Sequence, residues 1–290
     1  MNNMIFIMEK IFLIRGRGGD YLYHFIVLEI GGLYYIMNDK PLPTGNDDGA
    51  VKEKIKLKYV NDLSEKEQKN LIVSKPLKIF LAQEPLLFQK ECIELIKDDI
   101  ELISTEDIKE IYYFQPSYGV PCVKNLYGHD LNVVLPFLRN LFLKNFNFTF
   151  NKNKRIFITR RNSEAQHNGQ LKRCILNEEE LKEKILKRYN IEYIQLENYS
   201  FKEKIELFNT SSLIISTHSG GLTCSLWANK KTKIVEILNR GTYGFPHGHY
   251  INITSILNIP YYRYTKINED YNGNFNLNCN KFEEYIKTII

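Results

Sequence analysis

The chain has 290 residues, of which 43% are hydrophobic and 25% charged, with a net charge of +5. This is ordinary for a globular protein of one large domain or two modest ones. The mild positive charge favours anionic small molecules but lacks the dense basic stretches of a nucleic-acid binder, and five scattered cysteines with no CxxC pair argue against a zinc site and against a disulfide framework.

The N-terminus starts apolar, but Glu9 and Lys10 interrupt it and no basic region precedes it. No signal peptide is expected, and unpaired cysteines suit a reducing, cytoplasmic setting. The window 21–37 holds His24, Glu29 and two glycines, too polar and short for a membrane span. Abundant Asn, Lys and Ile suit an AT-rich genome, as of a microbe or a large DNA virus.

A strand over 11–15 runs into the glycine-rich RGRGGD, and a helix is expected to follow. Alternation predicts a strand over 54–60, and shorter apolar runs predict strands over 77–81 and 111–114. Apolar spacing predicts a helix over 86–97 and a buried helix over 131–143, with Pro136 in its first turns or at a kink. The polar, Asn/Lys-rich stretch 145–154 marks a domain boundary by composition. We therefore expect domains over 1–148 and 149–275, with a helix over 276–290.

The second half alternates more cleanly. Strands are predicted over 155–159, 191–196, 213–216 and 233–237, and helices over 177–189 and 221–228. A further helix is capped by Ser200, with Glu203 completing a capping box. This rhythm predicts βαβ units and a parallel sheet.

In such a sheet, ligands bind outside the carboxyl ends of the strands. His218, Ser219, Gly220 and Gly221 sit at one of those ends, before Leu222 and Thr223 open a helix. Two glycines let a backbone approach a ligand, and a helix N-terminus favours phosphate. A tight turn with a structural histidine is the alternative reading of this segment alone. Glu236 stands near the end of the next strand, placed either to accept ribose hydroxyls or to face solvent. Arg160 and Arg161 directly follow a strand, and Arg173 precedes Asn177 and the next helix. Arginine forks suit phosphate oxygens, although a solvated pair reads the same way in isolation.

Taken in order, ITRR at 158–161, RCILNE at 173–178, HSGGLT at 218–223 and IVEI at 234–237 resemble glycosyltransferase family 61. Ser219 and Gly220 depart from the family's glycine and alanine. The resemblance implies a GT-B architecture, with two Rossmann-like domains facing across a cleft and a C-terminal helix crossing back. It implies an inverting transfer from a nucleotide sugar, UDP-sugar foremost, to a glycan or glycoprotein hydroxyl. The donor would be held by Arg160, Arg161, Arg173, Asn177, His218, Ser219, Gly220, Gly221, Leu222, Thr223 and Glu236.

An inverting displacement needs a general base. The resemblance points to His24, with Asp20 four residues earlier to orient it and Glu29 in reserve. On an ideal α-helix Glu29 lies about 140° from His24. Asp20 as a helix cap beside a structural His24 is the other reading. Asp47-Asp48 and Asp98-Asp99 are pairs, not DxD, so no metal is expected. His247 and His249 lack a third ligand. A non-catalytic nucleotide-sugar or glycan-binding protein is the second functional reading. A hydrolase using Ser219 lacks the nucleophile elbow.

Overall fold

The computed structural model describes residues 8–9, 11–14, 22, 24–37, 57–59, 71–72, 76–81, 85–102, 111–113, 130–161, 173–238, 248–265, 270 and 273–290. Contacts divide the chain into two compact units, Met1–Lys144 and Asn145–Ile290. The protein is α/β, and every strand pair among the described residues is parallel.

In the first unit, β1 (Met8–Glu9) pairs with β4 (Leu71–Ile72), and β3 (Leu57–Tyr59) pairs with β7 (Ile111–Tyr113). The strands β2 (Ile11–Ile14), β5 (Leu77–Leu81) and β6 (Ile100–Leu102) form a three-stranded sheet in that order.

The helix expected after the glycine-rich turn is irregular. It runs as a π-helical segment over His24–Glu29, a tighter turn over Ile30–Gly32, and α1 (Leu33–Met37). Because π turns close from i to i+5, positions 24 and 29 stand about one turn apart on the backbone. The separation expected from an ideal α-helix does not apply here. The helices α2 (Leu87–Leu95) and α3 (Leu131–Leu143) form where apolar spacing places them. Asp130 caps α3 through the Asn132 amide at 3.0 Å, and Pro136 sits inside the helix on its exposed side. Gly31 lies against α3, since a Cβ there would come within 2.8 Å of Val134.

The second unit carries β8 (Asn151–Ile158), α4 (Glu178–Leu181), β9 (Glu192–Ile194), α5 (Phe201–Thr210), β10 (Ser211–Thr217), β11 (Lys233–Ile237), α6 (His249–Ile256), β12 (Tyr261–Tyr264) and α7 (Cys279–Lys287). Part of the expected boundary stretch is strand: the polar residues 151–153 form the exposed start of β8, and its last three residues are buried. α4 continues as a π-helical segment over Lys182–Leu186. Ser200 and Glu203 form the expected capping box, with Glu203 accepting from the Ser200 amide at 2.7 Å.

The helix after the glycines forms over Gly220–Trp227, but as a 3₁₀-helix. Ser225 Oγ donates to Leu222 O at 2.6 Å, a side-chain bond that competes with regular α-helical bonding. The sheet order is β9-β8-β10-β11-β12. In chain order this is 2-1-3-4-5, one of the two common doubly wound orders.

Alternation along these strands separates two layers. Phe157, Leu213, Ile215, Val235 and Ile237 bury one face with Ile185, Phe282 and Ile286. The apolar face of α7 is therefore part of the core of its own unit. Ile156, Ile158, Ile214 and Ile234 alternate with that set and are fully or almost fully buried as well. Near the 3₁₀-helix, Phe201 of α5 meets Trp227 edge-on, ring centroids 5.2 Å apart.

Candidate active site at the strand ends of the second unit

In a 2-1-3-4-5 sheet the chain leaves the first and third strands toward opposite sides, which opens a crevice between their carboxyl ends. Those strands are β8 and β10. The residues that follow them are Thr159-Arg160-Arg161 and His218-Ser219-Gly220-Gly221, so topology and motif select the same place.

Arg160 joins the two loops, with Nη1 donating to the His218 carbonyl at 3.3 Å. Burial, and then the charge of Arg173, lowers its pKa to about 10. The guanidinium is therefore cationic at neutral pH, in a place where charge is costly. Arg173 adopts a left-handed backbone, φ 59°, a conformation that costs a non-glycine residue about 1–2 kcal/mol. Arg161 is more exposed and approaches Glu179 at 3.8 Å.

The arginine turn is pinned from behind by Glu178. This almost fully buried carboxylate accepts from Thr159 Oγ1 at 2.9 Å and from the Tyr193 hydroxyl at 2.7 Å. Thr159 Oγ1 in turn accepts from the Arg161 amide at 2.9 Å. Burial holds the Glu178 carboxyl above its ordinary value of 4.5, against those hydrogen bonds. The folded state thus binds this proton more tightly than the unfolded chain. Its contribution to stability is full below pH 4.5 and is lost as pH rises through the raised folded value. Glu178→Gln is expected to flatten that part of the stability profile, as read by urea titrations across the acid range.

Asn177 has another task. Its Oδ1 accepts from the Leu277 amide at 2.8 Å, and its Nδ2 donates to the Leu277 carbonyl at 3.0 Å and to Glu180 at 2.7 Å. The side chain clamps the segment before α7.

His218 is 7% exposed, and its Nδ1 lies 2.5 Å from Glu236 Oε1. Glu236 is fully buried; its Oε2 accepts from the Tyr261 hydroxyl and lies 3.5 Å from Arg263 Nε. Both carboxylate oxygens are thus engaged within the protein, and Glu236 stands behind His218. Tyr250 of α6 supports the loop: its ring lies 5.1 Å from the His218 ring, and its hydroxyl donates to the Ser219 carbonyl at 2.6 Å. Ser219 Oγ is 3.5 Å from Ser216 Oγ. Leu222 is fully buried, so its side chain serves packing. Thr217 and Thr223 carry buried hydroxyls with no hydrogen-bond partner among the described residues.

The two glycines differ. A Cβ on Gly220 would meet nothing within 4 Å, whereas one on Gly221 would come within 2.8 Å of Leu196 Cδ2. Gly221→Ala is expected to cost about 1–3 kcal/mol through overpacking. Adding Leu196→Ala should recover part of that loss in urea unfolding.

Asp20 lies outside the described residues. The backbone of His24 and Glu29 belongs to the π-helical segment, and their side chains lie outside the description. Asp47, Asp48 and His247 are outside it too, while Asp99 pairs with Lys144 and His249 opens α6. Among the described residues, no three His, Cys, Asp or Glu side chains gather as a metal site. None of the helices searched there is long and apolar enough to cross a membrane.

Sequence reasoning gave no role to Tyr250, Tyr261, Arg263 or Glu178. The alternation of YYRY, which sets Tyr261 and Arg263 on one face of β12, was the available signal.

The family model Glycosyltransferase 61 matches residues 23–235 of the chain. The chain belongs to glycosyltransferase family 61. No curated protein matches it. The family 61 match reaches into both units. It includes His24, Glu29, the arginines and the His218–Thr223 loop, and it stops one residue before Glu236. Membership places the chain among glycosyltransferases, and so among proteins that work on a sugar donor and an acceptor.

Proposed function

We propose that the protein is an inverting glycosyltransferase that moves a sugar from a nucleotide-sugar donor, a UDP-sugar foremost, to a hydroxyl of a glycan or glycoprotein. One observation carries this reading. At the switch point of the second unit, Arg160 spans the β8 and β10 loops beside Arg173, next to an open glycine and the start of a helix. Departing diphosphate develops negative charge, and preorganised donors and cations stabilise it. The buried hydroxyls of Thr217 and Thr223 add two polar groups that no described residue satisfies.

The positive groups supply leaving-group stabilisation without a metal, so no metal requirement is part of the proposal. His24 remains the proposed base for the acceptor hydroxyl, with Asp20 to orient it and Glu29 as the reserve candidate for the base. The GT-B arrangement is the architecture that goes with this reading.

The test is calorimetric binding of UDP, GDP, CMP and dTDP, with and without Mn²⁺, to the wild type and to Gly220→Ala. One nucleotide should bind without needing Mn²⁺. Because the Gly220 position is open, the variant should unfold like the wild type but bind that nucleotide more weakly. Failure of all four nucleotides to bind would overturn the proposal.

A further inference from the structure

The ladder behind His218 is more elaborate than a turn requires. β10, β11 and β12 lie in register with Ser216 beside Glu236 and Glu236 beside Arg263. Side chains alternate along a strand, so Tyr261, two residues from Arg263, shares that face. The Tyr261 hydroxyl meets Glu236 Oε2, and Arg263 Nε donates to the same hydroxyl at 3.1 Å. Burial, reinforced by the Glu236 charge, raises the Tyr261 pKa, so the phenol stays protonated and donates. Charged hydrogen bonds of this kind fix geometry in a dry environment. The far oxygen of Glu236 is thereby held, which leaves Oε1 aimed at His218 Nδ1.

We propose that Tyr261 and Arg263 are positioning residues that act through Glu236 to lock the His218 proton on Nδ1, which makes Nε2 the acceptor nitrogen of the ring and assigns it to a hydroxyl of the bound donor. The last step rests on the donor reading above. The two ring nitrogens of histidine are not equivalent, and the bond made by one decides what the other can do. Glu236 then serves the donor indirectly, by orienting His218, and has no ribose hydroxyls to bind. A merely structural ladder would tie β11 to β12, and removing the Tyr261 hydroxyl or the Arg263 guanidinium would then leave the imidazole tautomer unchanged.

The experiment reads the tautomer directly in the full-length, nucleotide-free protein. Long-range ¹⁵N–¹H spectra of labelled wild type, with the His218 signals assigned by their loss in His218→Gln, should show a single Nδ1–H form. Tyr261→Phe keeps the ring and removes the hydroxyl; Arg263→Gln removes the guanidinium. Each should replace the single form with a mixture and weaken UDP binding about tenfold, the scale of one lost hydrogen bond. If Arg263→Gln does not fold, Tyr261→Phe decides alone. An Nε2–H form in the wild type overturns the proposal, as does an unchanged Nδ1–H form in the folded variants. If the tautomer behaves as expected but the wild type binds no UDP, the positioning role stands and the UDP assignment fails.

Discussion

Arg160→Ala is expected to weaken UDP binding by about tenfold to a hundredfold, the range for losing charge-assisted bonds to phosphate. The same change should leave the urea midpoint unchanged or raise it. Burial and the neighbouring charge of Arg173 lower the Arg160 pKa to about 10 from an ordinary 12.5. A cation whose folded pKa lies below its unfolded value is disfavoured by folding at neutral pH, and that penalty fades as pH rises through the folded value. Removing it relieves the fold while costing function, the trade expected of a binding residue. Calorimetry and urea unfolding of one variant test both signs. A large stability loss with intact UDP binding would make Arg160 a structural strut.

Glu236→Ala should show the opposite balance. The carboxylate is fully buried among His218, Tyr261 and Arg263. Deleting one partner of a buried ionic cluster typically costs about 3–5 kcal/mol, because the groups left behind lose their compensation. The expected result is a large drop in the urea midpoint. Glu236→Gln should lose less, since an amide of the same shape keeps some of the hydrogen bonds. Equal stability of Glu236→Ala and wild type would mean that the cluster is not held together through this carboxylate.

The parts of the second unit legible in the sequence were those governed by local pattern. RIFI, LIIS and IVEI are apolar runs of strand length, and Ser200 with Glu203 is a local cap; each formed where expected. The order of the strands is a tertiary property, so the crevice between β8 and β10 followed only from the structure. Glu236 illustrates the limit. Sequence shows a carboxylate near a strand end, but its partners Tyr261 and Arg263 lie on a neighbouring strand that periodicity did not single out. The 3₁₀ form of Gly220–Trp227 was hidden for a related reason, since a short run with two glycines, a threonine and a serine has no strong preference among helix types. Asn177 lay inside a recognised motif, yet its amide serves a backbone segment 100 residues away.

That clamp belongs to a longer seam. Phe275 donates to the Cys174 carbonyl at 3.1 Å and accepts from Leu176 at 2.8 Å, and the Asn274 side chain accepts from the Cys174 amide at 3.0 Å. The stretch directly after Arg173 is therefore tied down by residues translated long after it. A growing chain emerges from the ribosome N-terminus first. The arginine loop and the strands on either side of it are thus already made while their fastening, residues 274–277, is still to come. The stretch after Arg173 is therefore fastened only once those later residues have been made.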